Sequence, residues 1–138
     1  MKIHHIGIIV ARDEWFRTFV ERFGGVVTGE GYVEEYGAHC TFVDFGGTVI
    51  EFIFPRTPLL ANFNRGAGGL HHIAFETDDL GGYSEVLARE GIDLLEEAPV
   101  KGAANILVNF IPPAYFGIPV EIIQQLPENE NEGGGESE

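Results

Sequence analysis

Apolar and polar positions follow the same order of patterns twice along the chain. In the first half, residues 3–10 predict a strand, and the next segment has apolar residues three and four positions apart, which predicts a helix. The apolar stripe of that helix is Trp15, Phe16, Phe19, Val20 and Phe23, and we expect it to belong to the core. Asp13 is the predicted N-cap, and the glycines at 24–25 end the helix.

The second half repeats this order. Residues 70–77 predict a strand, and Thr77 or Asp78 is the predicted N-cap of a helix that ends at Gly91. That helix directs Tyr83, Val86 and Leu87 inward. Each half then continues with strand patterns, "GAHCTFVDF" and "TVIEFIF" in the first and "NILVNFI" and "IPVEIIQ" in the second.

Aligned without a gap, the halves are offset by 72 − 5 = 67 positions, with His5 opposite His72. They also end alike, because Glu51 lies 51 − 5 = 46 residues after His5 and Glu121 lies 121 − 72 = 49 residues after His72. We therefore predict an α+β fold of two tandem βαβββ modules. Residues 1–126 form one domain, with module 1 at about 1–55, a linker at 56–69 and module 2 at about 70–126.

The histidine pairs of the two modules suggest a shared site. Because side chains alternate along a strand, we assign His5 and His72 to a concave, ligand-facing surface, and His4 and His71 to the helix layer or a strand edge. Two histidines with two carboxylates suit a divalent Mn, Fe, Co, Ni or Zn ion. Such an ion also offsets the cost of burying two carboxylates in an apolar interior.

Composition narrows the function classes. The net charge is −14, of which the five tail glutamates contribute −5, so residues 1–126 carry −9 and nucleic acid is disfavoured as a partner. There is no signal-peptide pattern and no apolar run long enough to span a membrane, so we expect a cytoplasmic protein without membrane partners. Cys40, the sole cysteine, is interpreted as a small apolar strand residue, and residues 127–138 as a disordered acidic tail.

The His-Ile-Gly start, the repeat and "GLHHIAFETDD" resemble the vicinal oxygen chelate (glyoxalase/bleomycin-resistance) superfamily over residues 1–126. The resemblance implies that the two modules form an incomplete eight-stranded barrel around a metal. It implies four metal ligands, which are His5, Glu51, His72 and Glu121. The set is complete, unlike the pattern of the metal-free resistance proteins. Pairing of barrels in the superfamily implies a homodimer.

Within the superfamily, "EYGAHCTFVDFGGTVIEFIFP", "GAGGLHHIAFETDDL" and "GIPVEIIQQ" resemble methylmalonyl-CoA epimerases. This likeness implies a small-molecule carbonyl or acyl-CoA substrate and an enolate stabilised by the metal. It implies that Glu35 removes the proton and that Glu121, or a water on the metal, returns it on the other face. The segment "NFIPPAYFGIP" departs from that family, and we expect it to line the pocket mouth.

CoA recognition is a second point of departure, because an acidic body repels the phosphates of CoA. Arg56, Arg65 and Lys101 are the candidates for a local basic patch. A glyoxalase I-like lactoylglutathione lyase, which uses the same His-Glu-His-Glu set, stays open as an alternative. So does a non-enzymatic small-molecule binding or resistance protein, whereas Glu51 argues against a ring-opening dioxygenase with a single glutamate ligand.

Overall fold

The computed structural model describes residues 1–127, so residues 128–138 of the predicted disordered tail lie outside the described residues. The strands are β1 Lys2–Ile9, β2 Val26–Val33, β3 Ala38–Phe45, β4 Thr48–Pro55, β5 Gly69–Glu76, β6 Val100–Lys101, β7 Ile106–Ile111 and β8 Val120–Gln125. The α-helices are α1 Phe16–Arg22, α2 Pro58–Ala61, α3 Leu80–Arg89 and α4 Pro113–Phe116. Three 3-10 turns cover Asp13–Trp15, Glu34–Tyr36 and Phe63–Gly66.

All eight strands belong to one sheet in the order β2-β3-β4-β1-β5-β8-β7-β6. The first strands of the two halves, β1 and β5, are antiparallel neighbours at its centre. Each is flanked by the last strand of its own half in parallel pairing, β4 beside β1 and β8 beside β5. The sheet is nearly closed as a barrel with one unsealed seam between β2 and β6. The predicted α+β fold with an incomplete eight-stranded barrel is confirmed.

The two longer helices pack on the outer surface of this sheet. Phe16 and Val20 of α1 pack against Val43, Phe52 and Phe54. Leu80 and Leu87 of α3 form the corresponding cluster with Ile111 and Ile122. Outward residues of β4 and β8 are therefore covered by helices, and the residues between them point into the barrel.

The predicted core stripe of the first helix is only partly correct. Trp15, Phe19 and Phe23 are 57%, 38% and 63% exposed. The physical reason is the length of α1, which has seven residues and places Trp15 before its start and Phe23 after its end. Two turns of helix place Phe16 and Val20 half-buried on the sheet, whereas Phe19 contacts Phe45 and Phe52 but stays more exposed.

Both predicted helix caps are wrong by one or two residues. Asp13 begins the 3-10 turn instead of preceding it, and Arg12 occupies the N-cap position without a side-chain hydrogen bond. The cap of α3 is Asp79, whose Oδ1 accepts a hydrogen bond from the Gly82 N–H at 3.0 Å. Thr77 instead accepts a hydrogen bond from the Asp79 N–H through its hydroxyl, at 3.3 Å, so an extra turn precedes the helix.

The inside of the barrel is lined by small and branched apolar side chains. Ala38, Cys40 and Ile53 lie on one side, and Val108 and Ile123 on the other. Burial and the nearby carboxylates of Glu51 and Glu121 raise the pKa of the Cys40 thiol, so it stays protonated and behaves as the small apolar residue that we predicted. None of the helices within residues 1–127 combines the length and apolar character needed to cross a membrane.

Candidate metal centre

The two central strands each direct one histidine into the barrel. His5 of β1 is 1% exposed and His72 of β5 is 2% exposed. In the antiparallel register His5 lies opposite Ala74 and His72 lies opposite Gly7, so the small residue of one strand faces the histidine of the other. The Nε2 atoms of the two histidines are 3.2 Å apart.

The flanking strands add one glutamate each. Glu51 of β4 and Glu121 of β8 are 7% and 5% exposed, and both lie between residues that pack outward. Glu121 Oε1 is 3.0 Å from His5 Nε2 and 2.9 Å from His72 Nε2. Glu51 Oε1 is 3.2 Å and 3.3 Å from the same two atoms. The structure therefore brings together all four residues that the sequence predicts as metal ligands.

Gly7 makes room for this cluster. A Cβ on Gly7 would lie 2.2 Å from His72 Cε1 and 2.6 Å from His72 Nε2, which no ordinary packing permits. The space left by the glycine is thus filled by the imidazole from the neighbouring strand. This fixes the ring of His72 against the backbone of β1 and aims its Nε2 at the two carboxylates.

Each histidine pair lies at a β-bulge, which the alternation rule does not anticipate. The register between β1 and β5 skips His4 and, symmetrically, His71. As a result the two members of each pair touch, with Nδ1 to Nδ1 distances of 2.8 Å for His4 and His5 and for His71 and His72. His71 lines the interior cavity and His4 stacks edge-on against Phe42, and their strands β1 and β5 lie at the centre of the sheet, so the predicted placement toward the helix layer or a strand edge is wrong. Bulges re-aim side chains next to functional sites in this way.

Burial and mutual charge shift the pKa of all four clustered residues. Burial alone would lower the pKa of His72, but Glu121 and Glu51 outweigh it and raise it to about 10. They also raise the pKa of His5 against its burial. Burial would raise the pKa of both glutamates, yet the histidines hold them below the usual range.

One carboxylate oxygen of the cluster, Glu121 Oε1, is buried and unsatisfied among the described residues. Both histidine nitrogens are close, but no hydrogen-bond geometry is met, so this buried atom has no hydrogen-bond partner among residues 1–127. The one ligand atom from each of the four residues lies within 4.8 Å of the others. Neutral imidazole and carboxylate are good ligands for first-row divalent metals, and a dication would balance the two buried negative charges. The residues present therefore fit a divalent ion.

A cavity of about 220 Å³ opens beside the four candidate ligands, and Glu51, His72 and Glu121 are among the residues that line it. Pro112, Pro113 and Pro119 form part of its wall, so the segment "NFIPPAYFGIP" lines the pocket as predicted. Arg56, Arg65 and Lys101 are not among the cavity-lining residues. Arg56 instead donates hydrogen bonds to the carbonyl groups of Phe54 and Pro55.

Glu35, the predicted base, is exposed on the Glu34–Tyr36 turn and is not among the residues that line the cavity. Its neighbour Tyr36 lines the cavity, and the Tyr36 hydroxyl is buried without a hydrogen-bond partner within residues 1–127. Sequence reasoning missed Tyr36. Its signal was present in "EEYGA", where a tyrosine follows two acidic residues at a turn before a buried strand.

The model of the Glyoxalase/Bleomycin resistance protein/Dioxygenase superfamily matches residues 4–110, which span β1 to β7. The chain belongs to this superfamily. The match includes the bulged histidine pairs of both modules and Glu51.

Individual relatives agree with this membership. The mitochondrial methylmalonyl-CoA epimerase of Homo sapiens is 30% identical over 121 residues, which are 84% of this chain and 69% of that protein. The uncharacterized protein YqjC of Bacillus subtilis is 29% identical over 136 residues, covering 95% of this chain and 97% of the relative. A Streptomyces coelicolor methylmalonyl-CoA epimerase solved in complex with 2-nitronate-propionyl-CoA shares the fold, with a TM-score of 0.81 at 23% identity over 92% of this chain and 99% of that one.

Proposed function

We propose that this protein is a metal-dependent epimerase or isomerase that stabilises the enolate of a carbonyl substrate, in the manner of methylmalonyl-CoA epimerases. The convergence of His5, Glu51, His72 and Glu121 at the base of an apolar cavity carries the proposal. Curated relatives that bear the epimerase name add support at 29–30% identity. The prediction of a homodimer and that of a cytoplasmic location are kept as part of the proposal.

In this proposal the four candidate ligands and the cavity have separate roles. A divalent ion held by the set would polarise a carbonyl oxygen and stabilise the negative charge of an enolate. His5, Glu51, His72 and Glu121 would hold the ion, and the apolar cavity wall would surround the acidic C–H. Glu121, whose Oε1 has no hydrogen-bond partner among the described residues, is the proposed proton carrier on one face of the substrate.

Glu35 is the proposed proton carrier on the opposite face, since inversion of a carbon centre needs a group on each side. Its carboxylate is exposed, so this role requires the Glu34–Tyr36 turn to swing it toward the substrate. The variant Glu35→Gln should lose epimerisation while keeping metal, and Glu34→Gln, at the adjacent exposed carboxylate, is the matched control. Equal activity of the two variants would remove Glu35 from the mechanism.

Metal analysis of the purified protein is the first test of the proposal. We expect about one divalent ion per chain in the wild type and none in His5→Ala or Glu121→Ala, because each variant removes one of four ligands. The metal-loaded protein should then exchange the α-proton of a chiral acyl thioester for deuterium in heavy water. No metal in the wild type, and no uptake when Co, Ni, Zn, Mn or Fe is offered, would contradict the proposal.

A glyoxalase I-like lyase is the second candidate, because the observed ligand set is the one that the resemblance assigns to that enzyme. Its test is conversion of the hemithioacetal of methylglyoxal and glutathione by the metal-loaded protein. Turnover of the hemithioacetal without exchange in acyl thioesters would favour the lyase. Saturable binding of either ligand without turnover would favour a binding or resistance protein.

A further inference from the structure

The cavity above the metal centre has almost no polar surface. Its wall is built from apolar side chains, among them Val33, Ile53, Leu95, Val108, Phe110 and Pro113. No lysine or arginine is among its lining residues within 1–127. Among the described residues, the only carboxylates that line it are Glu51 and Glu121, and both belong to the metal centre. A charged group of a ligand inside this cavity would therefore find no counter-charge from the protein.

The charge of the metal centre leads to the same conclusion. Two ionised glutamates and two neutral histidines balance a dication, so the loaded centre has no positive charge left over. A ligand that binds through a carboxylate would bring a further negative charge into a cavity whose wall is almost entirely apolar. A ligand that binds through neutral carbonyl or hydroxyl oxygens would add no such charge.

Tyr36 supplies a neutral hydrogen-bond donor that lines the cavity and that the mechanism has not used. Its ring stacks edge-on against Phe110 with centroids 5.5 Å apart, and it packs against apolar residues from both halves of the barrel. Burial and the negative charges of Glu96, Glu121 and Glu35 raise the pKa of the hydroxyl, so it stays protonated. A buried hydroxyl without a partner costs stability, which a ligand oxygen would restore.

We infer that the cavity selects small carbonyl compounds whose metal-binding oxygens are uncharged and whose substituent is apolar, and that the Tyr36 hydroxyl donates a hydrogen bond to one ligand oxygen. This inference rests on the proposed metal-dependent function and narrows its substrate class. At about 220 Å³ the cavity is smaller than the roughly 300–1,000 Å³ of sites for drug-sized ligands, so it holds an acyl group and not the carrier. A free carboxylate next to the reacting carbon is disfavoured.

Two thioesters of nearly equal shape test the selection. They are the N-acetylcysteamine thioesters of 2-methylacetoacetate and of methylmalonate. The first carries a methyl ketone where the second carries a carboxylate, and neither carries the phosphates of CoA. The visible absorption of Co(II)-loaded protein reports binding at the metal, and thermal shift reports binding with and without metal. We expect the dissociation constant of the neutral thioester to be lower by about tenfold or more.

Each outcome decides between the two proposals. Protein that takes up Co(II) and binds the methylmalonyl thioester as tightly or more tightly overturns the inferred selection and leaves the metal-dependent function standing. Protein that takes up no Co(II) but still favours the neutral thioester in thermal shift overturns the metal-dependent function and, of the inference, leaves only the selection by the apolar wall and Tyr36. Protein that takes up no Co(II) and binds neither compound overturns both.

Two substitutions test the parts of the inference. Tyr36→Phe should weaken the neutral thioester by roughly three- to tenfold, the loss of one hydrogen bond, with unchanged Co(II) uptake. Tyr32→Phe, at a 54% exposed tyrosine outside the cavity, is the matched control. Leu95→Lys places a cation at the 55% exposed rim and should raise affinity for the methylmalonyl thioester alone. Unchanged binding in Tyr36→Phe would refute the role of Tyr36, and unchanged binding in Leu95→Lys would refute the electrostatic basis.

Discussion

Replacing Gly7 by alanine should dismantle the metal centre while the barrel stays folded. A Cβ at this position lies 2.2 Å from His72 Cε1, whereas real Cβ contacts are almost never shorter than 3.0 Å. The imidazole must therefore move by at least 3.0 − 2.2 = 0.8 Å. Metal–ligand distances tolerate only about 0.2 Å, so a displacement of this size breaks the bond from His72.

The cost to the fold is smaller than the cost to the site. Gly7 has no positive φ, so alanine suits its backbone. Overpacking costs about 1–3 kcal/mol, and the lower entropy of the unfolded alanine chain offsets about 0.4–1 kcal/mol of it. Metal affinity should fall by about a hundredfold or more, since loss of a supporting contact alone costs about 10- to 100-fold and here a ligand itself is displaced.

Calorimetric titration of the metal-free protein with Co(II) or Ni(II) measures this loss, and circular dichroism checks the fold. Gly81→Ala in α3 is the control, because a Cβ on Gly81 would have Asp79 Oδ1 as its nearest neighbour, at 3.8 Å. That variant should bind metal as the wild type does. Wild-type affinity in Gly7→Ala would show that the close contact with His72 does not position the ligand.

Three further perturbations probe the surroundings of the site. His4→Ala should lower metal affinity by about 10- to 100-fold, because His4 contacts the Nδ1 of the proposed ligand His5. His39→Ala, at a histidine outside that contact, is the control, and equilibrium dialysis measures the metal affinity of both variants. Asn109→Ala should lower the free energy of unfolding by about 2–3 kcal/mol in urea titrations. The side-chain amide of Asn109 is 2% exposed; its Oδ1 accepts hydrogen bonds from the Glu96 and Phe110 N–H groups, and its Nδ2 donates one to the Glu96 carbonyl. Metal-free protein should lose stability as pH rises from about 6.5 to about 10, because folded His72 keeps a proton that the unfolded chain releases; a flat profile in chemical denaturation would contradict this.

The sequence was most informative where the two halves resemble each other. The common offset of His5 and His72, with a glutamate at the end of each half, was enough to predict the four residues that the structure brings together as candidate ligands. It could do so because a duplicated topology brings equivalent strands to equivalent places. By contrast, β2 and β6 were not located, since β2 is a largely exposed edge strand with two glycines and β6 has two residues.

Positions that depend on local geometry were the ones that the sequence did not predict. The bulges at His4 and His71 break the strict alternation, so the faces of both histidines were assigned wrongly. Glu35 and Tyr36 are adjacent on a 3-10 turn, and no periodicity indicates which of the two faces the cavity. Asp79 was missed as the cap of α3 because three consecutive polar residues compete for that position.

The central pair of strands has a consequence for how this site could originate. Each half supplies one histidine and one glutamate, so half a chain holds only half of the coordination set. Two copies of a single ancestral module, joined through their first strands, would place a complete set on their twofold axis. In a single chain each half can change alone, and the two halves do differ here, since Gly7 faces His72 where Ala74 faces His5.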